Sequence, residues 1–322
     1  MTYDARILAD SISPRGYRLT SFEVTFPRLV LAEFNTHRVF SRNSASSRAI
    51  PVAKQLRRVL DEPYVPAEFG TNKPGMQAGS CLGGHKATVA RREWLRARDR
   101  AVEHVIGLVA HPNFGSDDAD SLQGRVSQLE EALAQGPPPE SWLNVHKQLV
   151  NRLLEPFMWH TLIVTASEWS NFWHLRAHPD AQPEIRQIAE LMRRVFDASE
   201  PVEIGPEGWH LPLVDDLIAT GTSRLDQLAL LQISVGRCAR ISYLTHDGKR
   251  DPVADVRLHD RLLESGHLSP FEHVARPLTN GELRDGEWSA NFRGWRSYRK
   301  DLPGESDPLG SGVPAESSLA FA

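Results

Sequence analysis

The chain has 322 residues, with 41 acidic and 37 basic side chains, a net charge of −4, 40% hydrophobic and 24% charged residues. This composition fits a soluble globular protein of one large or two ordinary domains, and the negative balance argues against coating nucleic acid as its main role. No run approaches the roughly 18 apolar residues of a membrane span, no basic-then-apolar leader opens the chain, and two cysteines, Cys81 and Cys238, exclude a disulfide framework or a cysteine zinc site, so a cytoplasmic setting is expected.

Phe22, Val24 and Phe26 alternate with Glu23 and Thr25, the period of a half-buried strand that Pro27 ends. Residues 28–34 read as a short apolar helix. Residues 35–50 are polar and without period, so they form a plain loop or a site. Residues 63–84 carry Pro, Gly and Asn and read as an extended loop. The spacing of Val89, Leu95, Val102, Val105 and Ile106 predicts a helix over 86–106. Its Arg91, Arg92, Arg96, Arg98 and Arg100 are read as a solvated face rather than a nucleic-acid stripe, because acids are interspersed.

Residues 111–140, with Asp117, Asp118, Asp120 and the prolines 137–139, read as an inserted, partly mobile excursion within a single domain of residues 1–302. A helix over 145–154 is interrupted by Pro156. Pro183 opens an amphipathic helix to Phe196, with Ile185, Ile188, Met192 and Val195 on one face. Residues 201–221 connect to a helix over 225–241. Asp251 and Pro252 begin another, which Gly266 ends. Residues 303–322 are expected to be disordered. Helices outnumber strands, so the fold class is α+β, with mixed helices around a central sheet.

Three segments concentrate chemistry. Thr36, His37, Arg38, Ser41, Arg42, Asn43, Ser44, Ser46, Ser47 and Arg48 gather guanidinium, imidazole, hydroxyl and amide groups that suit a phosphorylated ligand; a polar loop with Ser caps is the other reading. Asn171 to Arg176 precede a turn, so Arg176 either points into a cleft or pairs at the surface with Asp180 or Glu184. Residues 266–273, with His267, Ser269, Glu272 and His273, lack the helical spacing of a zinc protease pair, and a turn is favoured over a metal site. In addition, residues 291–300 interleave Arg and Lys with Trp295 and Tyr298, either as a packed surface helix or as a nucleotide clamp.

Together these segments resemble the flavin-dependent thymidylate synthase family. Its signature, Arg-His-Arg-x-x-Ser-x-Asn-Glu-x-Ser-x-Arg-Tyr, is met at six of nine fixed positions by His37, Arg38, Ser41, Asn43, Ser46 and Arg48. Residues 171–186 are similar to the family's Leu-Arg and Ala-Gln-x-Glu-Ile-Arg run, 151–156 to its Ala-Arg-x-x-Leu-Pro helix, 237–243 to its Ala-Arg-Val-Ser-Tyr stretch, and 266–273 to its Gly-His-x-Ser-Pro-x-Glu-His turn. In the family that turn precedes the signature, whereas here it follows. The chain therefore reads as circularly permuted, with residues 201–221 joining the old ends, and the strand near Phe22 should neighbour the segment after His273.

The resemblance implies C5 methylation of a pyrimidine nucleotide, dUMP to dTMP, with FAD as cofactor, methylenetetrahydrofolate as one-carbon donor and NADPH as reductant. It implies Arg176, the cation that activates the ring, and Ser46 as catalytic residues, Ser46, Arg48, Arg152 and Arg176 as nucleotide contacts, and His37, Arg38, Asn171, His267 and Ser269 at the flavin. It also implies a homotetramer that shares its sites between subunits. Neither cysteine follows a proline, as the nucleophile of the other thymidylate synthase family does. The departures are Thr36 for Arg, Ser44 for Glu, Ala49 for Tyr and Glu33 for a nucleotide-contacting Gln. An acceptor at Glu33 suits a ring bearing an amino group, so a cytosine nucleotide, methylated or hydroxymethylated, stands beside uracil, and a non-catalytic nucleotide-binding homologue is a third reading.

Overall fold

The computed structural model describes residues 2–47, 49–115, 121–219, 226–241, 250–303 and 305. Five strands form the central sheet: β1 (Asp4–Ile12), β2 (Arg18–Pro27), β3 (Ser41–Ser44), β4 (Trp159–Ala166) and β5 (Val202–Glu203), in the spatial order β3-β4-β2-β1-β5. All neighbours are antiparallel except β1 and β5, so the sheet is mixed. The described helices up to Asp197 are α1 (Leu31–Phe34), α2 (Val52–Asp61), α3 (Gly84–Val109), α4 (Leu122–Ala134), α5 (Lys147–Val150), α6 (Ser170–Arg176) and α7 (Pro183–Asp197).

The period of two in β2 decides the layering. Phe22, Val24 and Phe26 pair across the ladder with Val164, Leu162 and His160 of β4. On that face they bury against Phe34 of α1, Phe172 of α6 and Ile185, Ile188 and Met192 of α7, the apolar stripe expected of this amphipathic helix. The opposite face is covered by later chain. Leu8 and Ile163 meet Leu213, Cys238 and Ile241 there, and the polar Ser21 and Thr165 meet two histidines, His210 and His273.

Between β3 and β4 the chain builds a separate helical cluster. Leu56 and Val59 of α2, Val102, Val105 and Ile106 of α3, and Val126 and Leu129 of α4 bury together with Val150 and Leu154. Residues 111–140 thus contain a helix, opened by the Ser121 side chain accepting from the Gly124 N–H, whose apolar side belongs to this core. Residues 117, 118 and 120 of the expected acidic patch lie outside the described residues, as do residues 306–322 of the expected tail. Arg91, Arg92, Arg96 and Arg100 on α3 form a solvated face, with Arg96 paired to Glu93 at 3.0 Å and Arg100 to Glu103 at 2.9 Å, whereas Arg98 turns inward and donates to the Leu60 carbonyl at 3.1 Å.

Pro156 does more than interrupt a helix. Only Lys147–Val150 is α-helical, and Asn151–Phe157 continues as 3-10 turns that accommodate the proline. Residues 291–300 form short strands and a 3-10 turn rather than a surface helix. Trp295 is fully buried with Leu19, Ala275 and Phe292, and its indole N–H donates to the Tyr17 carbonyl at 3.0 Å. Tyr298 packs edge-on against Trp209, and Arg293, Arg296 and Arg299 are held in ion pairs. The packing alternative holds for these aromatics. The same contacts place the segment after His273 beside β2, the neighbourhood expected from the motif order.

The helices Gln227–Ala239 and Pro252–Glu264 cross at Gly236. A Cβ there would lie 2.3 Å from the Asp255 carbonyl oxygen, inside any real contact distance. Next to it, the buried Arg237 guanidinium pairs with Asp255 at 3.1 Å and Asp216 at 2.6 Å. Gly236→Ala is expected to cost about 3 kcal/mol by forcing the helices apart, read as a lower urea midpoint; an unchanged midpoint would show that the crossing is loose. Among the described residues no helix is long and apolar enough to cross a membrane.

Candidate active site

The site is built around the loop that joins α1 to β3. After Phe34 is buried the chain turns, and the Thr36 hydroxyl donates to the Glu33 carbonyl at 2.6 Å. His37 is buried, its ring against Phe40 and Phe172. Arg42 on β3 folds back and donates to the carbonyls of Asn35 at 3.1 Å and His37 at 3.3 Å, which fixes the turn from beneath.

Arg176, in the last turn of α6, reaches into this loop rather than toward Asp180 or Glu184. Its Nε–H donates to His37 Nε2 at 3.1 Å. Its Nη2 donates to Thr36 Oγ1 at 3.0 Å and lies 3.5 Å from the Glu33 carbonyl. Nη1 has no hydrogen-bond partner among the described residues and is the part of the guanidinium left for a ligand. Burial, then the charges of Arg176 and Arg42, lower the His37 pKa to about 4. The imidazole is therefore neutral at pH 7 and accepts from the guanidinium instead of repelling it. The Glu33 side chain stands at this turn with its Oε2 buried and without a hydrogen-bond partner.

At the other end of β3 a second group forms. The buried Asn151 amide donates to the carbonyls of Ser47 at 2.7 Å and Ile50 at 3.0 Å, which anchors the loop carrying Ser46. Arg152, next in the chain, is exposed, with its Nε donating to the Gln148 carbonyl at 3.2 Å. Ser46 and Arg152 are thus brought to one corner, whereas Arg48 lies outside the described residues. No ion pair or hydrogen bond links this corner to Arg176 among the described residues, and the four residues of β3 alone span about 13 Å.

The 3-10 turn Ser269–His273 packs against β3. Ser269 Oγ donates to Asn43 Oδ1 at 3.3 Å, and Asn43 Nδ2 donates to the Cys238 carbonyl at 2.7 Å. His267 is exposed. His273 is fully buried, and its Nδ1 meets Thr165 Oγ1 at 2.8 Å. Glu272 instead pairs with Arg299. The two histidines and the glutamate therefore do not converge, and among the described residues no cluster of His, Cys, Asp and Glu suits a metal. Arg38 and Asn171 are exposed, and their side chains have no hydrogen-bond partner among the described residues.

Neither thiol is activated. The Cys81 thiol donates to Glu68 at 3.2 Å, and that carboxylate, with minor burial, raises its pKa. Burial alone raises the Cys238 pKa.

A family model described as thymidylate synthase complementing protein matches residues 13–202, a span that contains the Arg/Ser signature, Arg152 and Arg176. The chain belongs to that family. It is a thymidylate synthase-like methyltransferase. The turn at residues 266–273 lies outside the matched span. Among solved structures, a UMP/dUMP methylase, PolB from Streptomyces cacaoi bound with 5-Br UMP, is 17% identical, with 61% of this chain and 88% of that chain covered and a TM-score of 0.37. No match was found among the curated proteins.

Sequence reasoning assigned Arg176 its role by resemblance. It missed what holds the residue in place. Thr36 entered as one polar group of the loop and as a departure from the signature, yet its hydroxyl accepts from the guanidinium. Asn151 was passed over for Arg152, although a polar residue flanked by Val150 and Leu154 on a buried face was the available signal.

Proposed function

We propose that the chain methylates a pyrimidine deoxynucleotide at C5, with dUMP the acceptor that family membership suggests, and with a flavin, a folate one-carbon donor and NADPH as the redox and carbon sources. The observation that carries the reading is the fixed guanidinium of Arg176, whose Nη1 is open while neutral His37 and Thr36 occupy its other donors. A pyrimidine C5 becomes nucleophilic when charge accumulates on the ring, either by thiol addition or by electrostatic stabilisation of the ring anion. Cys238 is fully buried and the Cys81 thiol is bonded to Glu68, and no contact among the described residues brings either to Arg176, so the reading takes the second route, which Arg176 supplies toward N3 and O2.

Ser46 and Arg152, with Arg48, would hold the nucleotide phosphate at the other end of β3. Their separation from Arg176 supports a site completed by a second subunit, in keeping with a homotetramer. Residues available for FAD fit such a group. Arg38 and Asn171 present unpaired donors, His37 accepts from Arg176, and Ser269 and His267 stand on the turn that Asn43 ties to β3. When bound there, FAD supplies the hydride that reduces the transferred carbon to a methyl group. The chain's own residues orient the nucleotide and hold charge at its ring.

The permuted reading has the support of the neighbourhood of β2 and the segment after His273, and of the turn's place beside the signature strand. Two measurements test the function: flavin absorbance of the purified protein, and tritium release from nucleotide labelled at C5 in the presence of methylenetetrahydrofolate and NADPH. Release that depends on added folate and flavin is expected. A protein that takes up no FAD and releases no tritium from dUMP or dCMP would sink the proposal.

A further inference from the structure

We propose that the cavity beneath the loop that follows β3 is an internal water site, and that Gln55 acts through this water as a positioning residue for the loop. The water site stands on its own observations. Its bearing on the nucleotide rests on the C5 reading, in which Ser46 and Arg48 of that loop hold the phosphate.

The cavity measures about 40 Å³. Gln55, Arg58 and Glu62, on the i, i+3, i+7 face of α2, line one side of it, and His160 of β4 with Ser47 and Ile50 of the loop line the rest. Two of these side chains are almost wholly buried and carry an unpaired polar atom: Gln55, 3% exposed, at Oε1, and His160, 2% exposed, at Nε2. Burying a polar atom without a partner is costly, so a group in the cavity that pairs with both is favoured.

The two atoms are of opposite type. Arg28 Nη1 stands 3.0 Å from His160 Nδ1 and can only donate, so the neutral ring carries its proton on Nε2 and offers a donor there. Gln55 Oε1 offers an acceptor. Arg58, half-buried and without a hydrogen-bond partner among the described residues, adds further donors. The occupant must therefore accept from His160 and donate to Gln55. A carboxylate has no proton for Gln55, and an ammonium has no lone pair for His160. Water does both, and at roughly 10–15 Å³ for each molecule about three fit.

This water completes the hold on the loop. The Ala45 N–H donates to the Thr161 carbonyl at 2.9 Å, and the Asn151 amide donates to the carbonyls of Ser47 and Ile50. Ala45, Thr161, Ser47 and Ile50 all line the cavity, so it lies between the two anchors. Water fixed there by Gln55 and His160 keeps the loop from collapsing inward and sets its shape before a nucleotide arrives.

The test uses the full-length protein as wild type, Gln55→Met and Gln55→Glu. A crystal structure of the wild type is expected to show water within hydrogen-bond distance of Gln55 Oε1 and His160 Nε2. Gln55→Met keeps the length and removes the acceptor. In it, hydrogen exchange at the loop amides of Ala45 and Ala49 is expected to quicken about tenfold, with the β2–β4 ladder unchanged, and dUMP affinity by calorimetry to fall about tenfold. Its kcat for tritium release should stay within about twofold. Gln55→Glu, which keeps an acceptor on the face it shares with Arg58, is expected to restore loop exchange and affinity. A cavity filled by a side chain, or a bromide peak in it after soaking, would overturn the water site. Loop exchange unmoved in Gln55→Met, quickening spread over the whole sheet, or a Gln55→Glu as impaired as Gln55→Met would overturn the positioning role. Absence of tritium release from every pyrimidine nucleotide would reject the C5 reading, and the water and exchange results would still decide this proposal.

Discussion

Arg176→Ala is expected to lower kcat for C5 tritium release by roughly 10² to 10³-fold while nucleotide binding weakens by less than about tenfold, because the charge matters most when the ring anion forms. The geometry gives this its force. Two donor groups of the guanidinium are committed, Nε to His37 Nε2 at 3.1 Å and Nη2 to Thr36 Oγ1 at 3.0 Å, so the remaining Nη1 is held in place before the substrate arrives. Preorganised charge costs little reorganisation during the reaction. Arg176→Lys keeps the charge but has one ammonium in place of the fork, and it cannot engage His37 and Thr36 and still present a fixed donor. Its rate is expected to stay within about tenfold of the alanine variant. Both variants should fold, since Arg176 is half-buried at a helix C-terminus where a cation contributes about 0.3–1 kcal/mol. Single-turnover tritium release alongside thermal melts separates these effects. An alanine variant with wild-type kcat would remove Arg176 from the chemistry.

What the sequence made legible follows from where each element sits. β2 has one face on the helices and the other on polar groups, so its alternation survived, and α7 kept its apolar stripe for the same reason. β4 is buried along almost its whole length, and a strand covered on both faces has no alternation to read. In β1 the register shifts between Ile7 and Ala9, which breaks the period in the middle. β3 reads Ser-Arg-Asn-Ser and carries no apolar side chain, so it looked like part of a loop. It is an edge strand held by its backbone pairing to β4, which frees its side chains for the site. α2 was legible in principle, since Ala53, Leu56, Val59 and Leu60 fall on one buried face after Pro51.

The site was legible only as a set of resemblances. Nothing in the spacing of His37 and Arg176, 139 positions apart, implies their contact. That contact depends on α6 packing Phe172 against the His37 ring, a tertiary outcome. The order of the motifs pointed the same way, because it required residues 269–273 to return to β3, where Ser269 meets Asn43.

The protein is expected to lose stability steeply between pH 6.5 and 4 and to unfold in acid, driven by histidines that the fold keeps neutral. Burial, reinforced by Arg28, lowers the His160 pKa to about 3, and His160 Nδ1 stands 3.0 Å from Arg28 Nη1, which obliges it to accept. His210 bridges Ser11 and Ser21 at 2.8 Å each, Ser21 continues to Thr165, and Thr165 to His273, so a buried polar chain joins β1, β2, β4 and the 3-10 turn. Burial lowers both His210 and His273 to about 3, and His37 stands at about 4. The ordinary histidine value is near 6.5. Between that value and the folded ones the unfolded chain binds protons that the folded chain refuses, so stability is full above about pH 6.5 and falls as pH drops. With all four groups refusing protons, the slope near pH 5 approaches about 5 kcal/mol per pH unit, against a total of about 5–15 kcal/mol for a typical domain. Carboxylates act in a lower window: Glu282, held at about 2 chiefly by its bond from Arg276, gives up its contribution only below its ordinary value of 4.5. Urea unfolding at half-unit steps from pH 7.5 to 4.5 measures the slope. His160→Gln should reduce it by about one proton, or roughly 1.4 kcal/mol per pH unit. A free energy of unfolding that stays flat from pH 6.5 to 5 would show that the buried imidazoles accept protons in the folded state, and the electrostatic account of His37 beside Arg176 would fall with it.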